Sequence, residues 1–308
     1  MSTISVVIPV FNEELKIADC LRSLINQTLP FDEIILVDNG STDRSKDIVQ
    51  EFAKSDSRIK LLDESVPGCY AARAAGYDAA TSDIVARTDA DTRATPTWAE
   101  NIVGFFDGPD GTDFAAVTGP MTVYDGPPFA FVEKFAMRQP KGYENGREIG
   151  AVAGPNHAMR ASAWQEIRKN LTARQDIWED ADMGMALTEA GLRCFFSPKV
   201  LVAGSIRAQR KSPIKQWHYL TGGIRTARAR GNQRAITVMK QDLPVRAILF
   251  TGMWLLFRPW DEHSRTWRPS RLFRPLEDAH NDVTRYRQSS GVSGVQTRRS
   301  AREEVRSG

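Results

Sequence analysis

The sequence predicts an α/β chain: a mostly parallel sheet flanked by helices, followed by a basic helical C-terminal extension. Short apolar runs, nearly free of charge, recur at 4–10, 34–37, 59–62 and 84–87, the first of them rich in β-branched residues, the pattern of strands covered on both faces. Segments with helical spacing of apolar residues separate them, and such alternation builds a parallel sheet with right-handed crossovers. The charge balance then changes sign: residues 1–204 carry 20 Lys+Arg against 30 Asp+Glu, whereas residues 205–308 carry 21 against 8.

Each element has a local reason. After the first strand, Asn12 is placed to cap a helix whose first turn holds Glu13 and Glu14, with Leu15, Ala18, Leu21, Leu24 and Ile25 on one face. The second strand ends at Asp38, Asn39-Gly40-Ser41 is turn chemistry, and Thr42 or Asp43 caps a helix to about Lys54. A break at 65–68 precedes an alanine-rich helix through Ala71, Ala72, Ala75 and Ala79, small enough to pack closely on a sheet. The fourth strand delivers Asp89 and Asp91, Pro96 starts a helix, and 113–117 reads as a further strand. Residues 127–128 and 139–148 read as loops, and 191–198 closes an acidic helix and starts another strand.

With 41% hydrophobic and 26% charged residues in 308, the composition excludes collagen-like, low-complexity and mostly disordered chains. Cys20, Cys69 and Cys194 are too few and scattered for a disulfide framework or zinc cluster, which favours a reducing, cytoplasmic setting. The apolar run at 4–10 is too short for a signal peptide and lacks a basic flank.

In a sheet of this kind ligands lie at the carboxyl ends of the strands, where Asp38 and the Asp89/Asp91 pair sit. Two carboxylates one residue apart can reach one hard cation such as Mg2+ or Mn2+ and leave room for substrate phosphates; helix capping ahead of Pro96 is the alternative. Glu179 and Asp180 open an amphipathic helix. Their charge suits its dipole, and it also suits a general base that takes a proton from an attacking hydroxyl.

The motifs together resemble glycosyltransferase family 2: Ser5-Val-Val-Ile-Pro-Val-Phe-Asn-Glu-Glu14, Val37-Asp-Asn-Gly-Ser-Thr-Asp43, Ala71-Ala-Arg-Ala-Ala-Gly76, Asp89-Ala-Asp91, Gly154-Pro-Asn-His-Ala-Met-Arg160 and Trp178-Glu-Asp180. The resemblance covers about residues 3–205. It implies a GT-A (Rossmann-like) fold, a nucleotide-sugar donor, a divalent metal (Mn2+ or Mg2+) and inversion at the anomeric carbon. It further implies that Pro9, Phe11 and Glu13 form the base- and ribose-binding edge, that Asp38 helps hold the nucleobase, and that Arg73 approaches the nucleotide. Asp91 would be the direct metal ligand, with Asp89 nearer the ribose and sugar. Asp180 would be the catalytic base and Glu179 its acceptor-side neighbour, with Gly154, Asn156 and His157 on the sugar and acceptor wall; His157 equally suits a structural role. Arg207 and Arg210 would reach the donor diphosphate.

Two positions depart from the family pattern. Asn39 stands where many members have a second acidic residue, which leaves a UDP-sugar favoured but less firmly specified. The stretch 200–205 lacks the late histidine that many GT-A enzymes supply to the metal, and His218, in a helix, reads as structural.

The expected organisation is a GT-A domain over 1–204 (donor half about 1–118, acceptor half about 119–204), a basic extension over 205–287 and a disordered tail over 288–308. Residues 245–257 are the most apolar window, too short to span a bilayer of about 30 Å at about 1.5 Å per residue. Flanked by Arg246, Trp254, Arg258 and Trp260, with Arg265, Arg268, Arg271 and Arg274 beyond, this window fits either an interfacial helix at an anionic membrane or one packed on the domain. Gly222-Gly223 and Gly231 are expected weak points of the helices before it. The Q-x-x-R-W motif and transmembrane helices of processive synthases are missing from the sequence, so a single addition is expected. The acceptor would be a hydroxyl, lipid-linked or glycan, in cell-envelope polysaccharide synthesis at the inner face of the membrane. The competing readings are a nucleotidyltransferase, which the acidic loop after the first strand disfavours, and a non-catalytic membrane-bound adaptor. No nucleic-acid motif is present.

Overall fold

The computed structural model describes residues 1–130, 142–152 and 154–274. The apolar runs become β1 (Ile4–Val10), β2 (Glu33–Asp38), β3 (Ile59–Asp63) and β4 (Ile84–Arg87), parallel neighbours in the order β3-β2-β1-β4. Later strands are short: β5 (Thr92–Ala94), β6 (Ala116–Thr118), β7 (Met121–Val123), β8 (Arg147–Ile149), β9 (His157–Arg160), β10 (Cys194–Phe196) and β11 (Val202–Gly204). They extend the main sheet as β4-β9-β6-β10-β8 and form a second sheet, β5-β11-β7. The parallel order is broken where β9 runs antiparallel to both β4 and β6, and at β8. Residues Met1–Pro275 form one compact unit.

Helices cover both faces. On one, α1 (Ile17–Ile25), α2 (Ser45–Ser55) and α4 (Trp98–Asp107) bury Leu21, Leu24, Val49, Trp98 and Ile102 against β1 and β2. On the other, α3 (Cys69–Ala79), α5 (Ala161–Ile167) and α6 (Glu179–Glu189) bury Ala72, Tyr77, Trp164, Met183 and Leu187. Full burial of one such large side chain contributes about 1.5–3 kcal/mol. The close packing expected of the alanine-rich helix α3 is tightest at Gly76, where an added Cβ would lie 2.3 Å from Val7 Cγ1 and 3.1 Å from Val37 Cγ2. Gly76→Ala should therefore destabilise the fold by about 1–3 kcal/mol through overpacking, although alanine is the better helix former. A urea midpoint at or above that of the wild type would contradict this packing.

Several local expectations are corrected. Asn12 does not cap α1; it has φ 53° and the helix starts five residues later, at Ile17. The reason lies across the sheet edge: Ser41 Oγ, Ser45 Oγ and Asp43 Oδ2 accept the N–H groups of Asn12, Glu13 and Glu14 at 3.0, 2.7 and 3.0 Å. Asn12 Oδ1 in return accepts the Thr42 N–H at 2.8 Å. The two loops cap each other, leaving Asp19 as the acidic residue of the first turn of α1. The strand expected at 113–117 is β6, and part of the loop expected at 139–148 is β8, paired to β10; residues 131–141 lie outside the described residues.

Beyond β11 come α7 (Trp217–Leu220), α8 (Gly222–Ala229) and α9 (Gln233–Phe257). Gly231, at φ 66°, ends α8 as expected. Gly222 and Gly223 are not weak points: a Cβ on either would strike the Trp178 ring, at 2.4 and 3.0 Å, so their bareness lets α8 close onto the start of α6. The window at 245–257 is the second half of a 25-residue helix capped by Asn232, whose side chain accepts the Ala235 N–H. A hairpin of β12 (Trp260–Asp261) and β13 (Thr266–Trp267) follows it. No helix among the described residues is long and apolar enough to cross a membrane. The tail at 288–308 lies outside the described residues. All three cysteines are free thiols.

Candidate active site

The carboxyl ends of β1, β2 and β4 emerge on one edge, with Val10 opposite Asp38 and Val7 opposite Arg87. The crossovers diverge around β1, the topology that leaves a crevice for ligands. Pro9 is the penultimate residue of β1 and Phe11 the first beyond it; both are half-buried. Asp38 is buried, and its Oδ2 accepts the N–H groups of Gly40 and Ser41 at 3.2 and 3.1 Å. Its Oδ1, buried as well, has no hydrogen-bond partner among the described residues.

Beside β4 lies a cluster of two arginines and two carboxylates. Arg87, at the very end of the strand, is fully buried; it binds Asp89 Oδ1 at 2.6 Å and donates to the Gly154 carbonyl. Arg73, on α3, reaches the same Asp89 oxygen at 3.1 Å and pairs with Glu179, which stands 3.7 Å from Arg87. This cluster joins α3, β4 and the start of α6. It also gives the buried Arg87 guanidinium its carboxylate partner, without which its burial would be far costlier.

A second cluster joins the loop after β1 to that after β11. Arg207 forms a bidentate pair with Glu13, at 2.9 and 2.6 Å, and reaches Asp91 Oδ2 at 2.9 Å. The Arg207 loop is fixed by buried Asp125, which accepts from Ser205 Oγ at 2.6 Å and the Ile206 N–H at 2.8 Å. Tyr124 donates to the Asp91 carbonyl at 3.1 Å. Burial pushes the Glu13 carboxyl up to about 7, against the pull of Arg207. Burial also raises Asp91, with Arg207 opposing. For Arg207 burial acts to lower the pKa, but the pair with Glu13 carries it above the ordinary guanidinium value.

Asp180 lies in the first turn of α6, where Oδ1 accepts the Ala181 N–H at 2.8 Å and Oδ2 the Gly154 N–H at 3.2 Å. Burial raises its pKa; those two N–H groups and Arg73 oppose the rise, and Asp89 adds to it. Gly154 thus binds Arg87 through its carbonyl and Asp180 through its N–H, tying the base candidate to the Asp89 cluster. The other acid of that turn, Asp182, is buried and structural: it accepts from Thr172 at 2.7 Å (N–H) and 2.6 Å (hydroxyl), and from Arg230 Nε at 2.6 Å.

The donor set fits a divalent cation of one kind. Among the described residues no three His, Cys, Asp or Glu side chains converge as a metal cage. Asp89 and Asp91 nonetheless supply hard oxygens at the crevice, and Asp91 Oδ1 accepts no hydrogen bond from the described residues. Such a pair suits a cation whose coordination is completed by substrate phosphates and water.

The structure therefore brings Glu13, Arg73, Asp89, Asp91, Glu179, Asp180 and Arg207 into two linked clusters, with Pro9, Phe11 and Asp38 along the same edge. Asn156 and Asn39 are committed elsewhere. Fully buried Asn156 accepts from Trp98 Nε1 at 2.9 Å and donates to the Pro120 and Val200 carbonyls at 2.9 and 2.8 Å. Asn39 donates to the Glu64 and Val66 carbonyls and accepts the Gly68 N–H, bracing the loop before α3. His157 is buried on β9 with its Nε2 2.7 Å from the Tyr77 hydroxyl, the structural alternative raised for it. Asn156→Ala should cost on the order of 3 kcal/mol, from one donor and two acceptors left bare in the core. Chemical denaturation of the variant reads this cost, and unchanged stability with lost donor binding would instead place Asn156 in the crevice. Sequence reasoning missed Arg87, Tyr124 and Asp125; only Arg87 left a signal, as a charge closing an otherwise apolar strand.

The chain belongs to glycosyl transferase family 2, whose sequence profile matches residues 5–168. The Bacillus subtilis protein EpsH, named as a glycosyltransferase, is 39% identical over 100 residues, 32% of this chain and 29% of its own length. The match thus spans less than a third of that relative. The fold is GT-A. The mannosyltransferase PcManGT of Pyrobaculum calidifontis, solved with GDP-Man and Mn2+, superposes with a TM-score of 0.58 at 19% identity, covering 82% of this chain and 73% of its own. TarS of S. aureus, solved with UDP, does so with 0.53 at 15% identity, covering 82% and 70%.

Proposed function

We propose that the protein is an inverting, metal-dependent glycosyltransferase that moves one sugar from a nucleotide-diphosphate donor, a UDP-sugar for preference, to a hydroxyl acceptor in cell-envelope polysaccharide synthesis. The observation that carries this reading is the convergence of Asp180 with the Asp89/Asp91 pair at one sheet edge, joined through Gly154 and Arg87. The unpartnered, buried Asp38 Oδ1 supports nucleobase binding: a base N–H would satisfy an acceptor that is otherwise costly to bury.

In this reading the nucleotide lies along Pro9, Phe11 and Asp38 with its diphosphate toward Arg73 and Arg207. Asp89 and Asp91 would hold the divalent cation, which offsets the charge of the leaving diphosphate. Asp180 takes the proton of the acceptor hydroxyl while that oxygen bonds to the anomeric carbon. The bond from that carbon to the β-phosphate oxygen breaks, and the electron pair leaves with the diphosphate. Burial suits Asp180 to the task, since a carboxylate lifted above its ordinary value is a stronger base. Glu179, expected as the acceptor-side neighbour of the base, is paired with Arg73 and so holds that donor-side residue rather than moving the proton. Attack opposite the leaving group inverts the centre.

Stereochemistry tests the proposal. Donor hydrolysis without acceptor, followed by proton NMR, should release the sugar first as the anomer opposite to the donor's. First release of the same anomer would overturn the assignment of Asp180 as base.

A further inference from the structure

Helix α9 has two unlike faces. One is committed to the protein: Arg246 donates to the Leu220 carbonyl, Phe250 lies against Tyr219 at 6.0 Å between ring centroids, and Met253, Leu256 and Phe257 join Ile206 and Trp260 in a small core. The other presents Val245, Ile248, Leu249 and Leu255 to solvent, with Ile248 71% exposed, and residues 247–257 contain no charge. A soluble surface has no use for such a strip unless something covers it.

What adjoins the strip defines the occupant. At its C-terminal end, Trp267 donates its indole N–H to the Leu256 carbonyl and leaves its ring partly exposed, and Phe273 is 90% exposed. The same segment carries exposed Arg265, Arg268 and Arg274, none with an ion-pair partner among the described residues. An apolar strip ending in aromatic rings and free guanidinium groups matches the layering of a bilayer surface: acyl chains, interface, then anionic headgroups. A second copy of the chain would set these cations against their own kind.

We propose that this face of α9, with the 265–274 segment, docks on an anionic phospholipid bilayer. The helix lies in the interface, and its arginines meet the headgroups. Tyr219 connects α9 to the site from the helix's protein-facing side, since it touches Phe250 on one side and Trp178, the residue before Glu179, at 5.3 Å on the other. Resting on the transferase reading, this deepens it: the acceptor hydroxyl enters beside Trp178 and Tyr219 from a lipid-linked molecule held at the bilayer.

Co-sedimentation of the full chain with vesicles of phosphatidylcholine alone, or with a third phosphatidylglycerol, tests the docking without any donor. Binding to the anionic vesicles only is expected, reduced at least tenfold by Ile248→Glu with Leu249→Glu. It should also weaken severalfold, with less salt dependence, in the triple variant Arg265→Gln, Arg268→Gln, Arg274→Gln. The altered side chains are exposed, so the melting temperature should not move. No vesicle binding, or binding indifferent to the Ile248/Leu249 pair, would overturn the proposal. So would a dimer seen by analytical ultracentrifugation without lipid and dissolved by that pair. Nucleotide binding, measured separately in solution, fails only if the transferase reading itself fails.

Discussion

Asp180→Asn is expected to reduce sugar transfer by about 10²–10⁴-fold, the usual contribution of a general base, while donor affinity changes by less than about twofold. The amide keeps an oxygen to accept one of the two N–H bonds, from Ala181 or Gly154, so the start of α6 should stay in place. What is lost is the ability to take a proton. Because burial raises the Asp180 pKa, wild-type activity should fall as the pH drops through a value above the ordinary aspartate range of about 3.9. The variant's residual rate should lack that limb. Turnover and calorimetric donor binding together decide the matter. An active variant, or one that no longer binds donor, would remove Asp180 from the role.

Arg87→Met is the second large effect. Arg87 holds Asp89 and the Gly154 carbonyl from within the core, and Glu179 stands beside it. Its removal leaves the Gly154 carbonyl and the half-buried Asp89 carboxylate facing an apolar side chain; breaking a buried pair typically costs about 3–5 kcal/mol, and the partial exposure of Asp89 and its bond to Arg73 place this loss at the lower end. Urea denaturation should show a loss of that size, and nucleotide affinity should fall with it as Asp89 is released from its position. A loss below about 1 kcal/mol would show that Arg73 alone suffices to hold Asp89.

The contrast between Arg87 and Asp180 shows what the sequence made legible. Strands β1, β2 and β4 were readable because burial on both faces demands nearly unbroken apolar runs, and the carboxylates because they stand where those runs end; edge strand β3, with only Ile59 buried and Lys60 exposed, was readable by its place in the alternation. Strand β9 was not, because His157–Arg160 reads neither apolar nor alternating and takes its place only by pairing with β4 and β6. Asn12 looked like a cap because its chemistry allows one; the competing partners lie about thirty residues away in the loop after β2. Asn39 and Asn156 were read as site residues through the family resemblance. An amide's partners are fixed by tertiary structure, and both here serve backbone groups. Arg207 was identified through the family resemblance, but its bidentate pair with Glu13 spans the chain and has no local signature.

The central claim, that the Asp89/Asp91 edge binds a nucleotide with a divalent cation, is tested most directly by calorimetric titration with UDP, GDP, CDP and dTDP. Each is added with and without Mn2+, beside an Asp91→Ala control shown by circular dichroism to be folded. One nucleotide, UDP for preference, is expected to bind tightly only with the metal, and Asp91→Ala should remove the metal dependence. Folded protein that binds none of the four, or binds one equally well without Mn2+ and without Asp91, would contradict the claim.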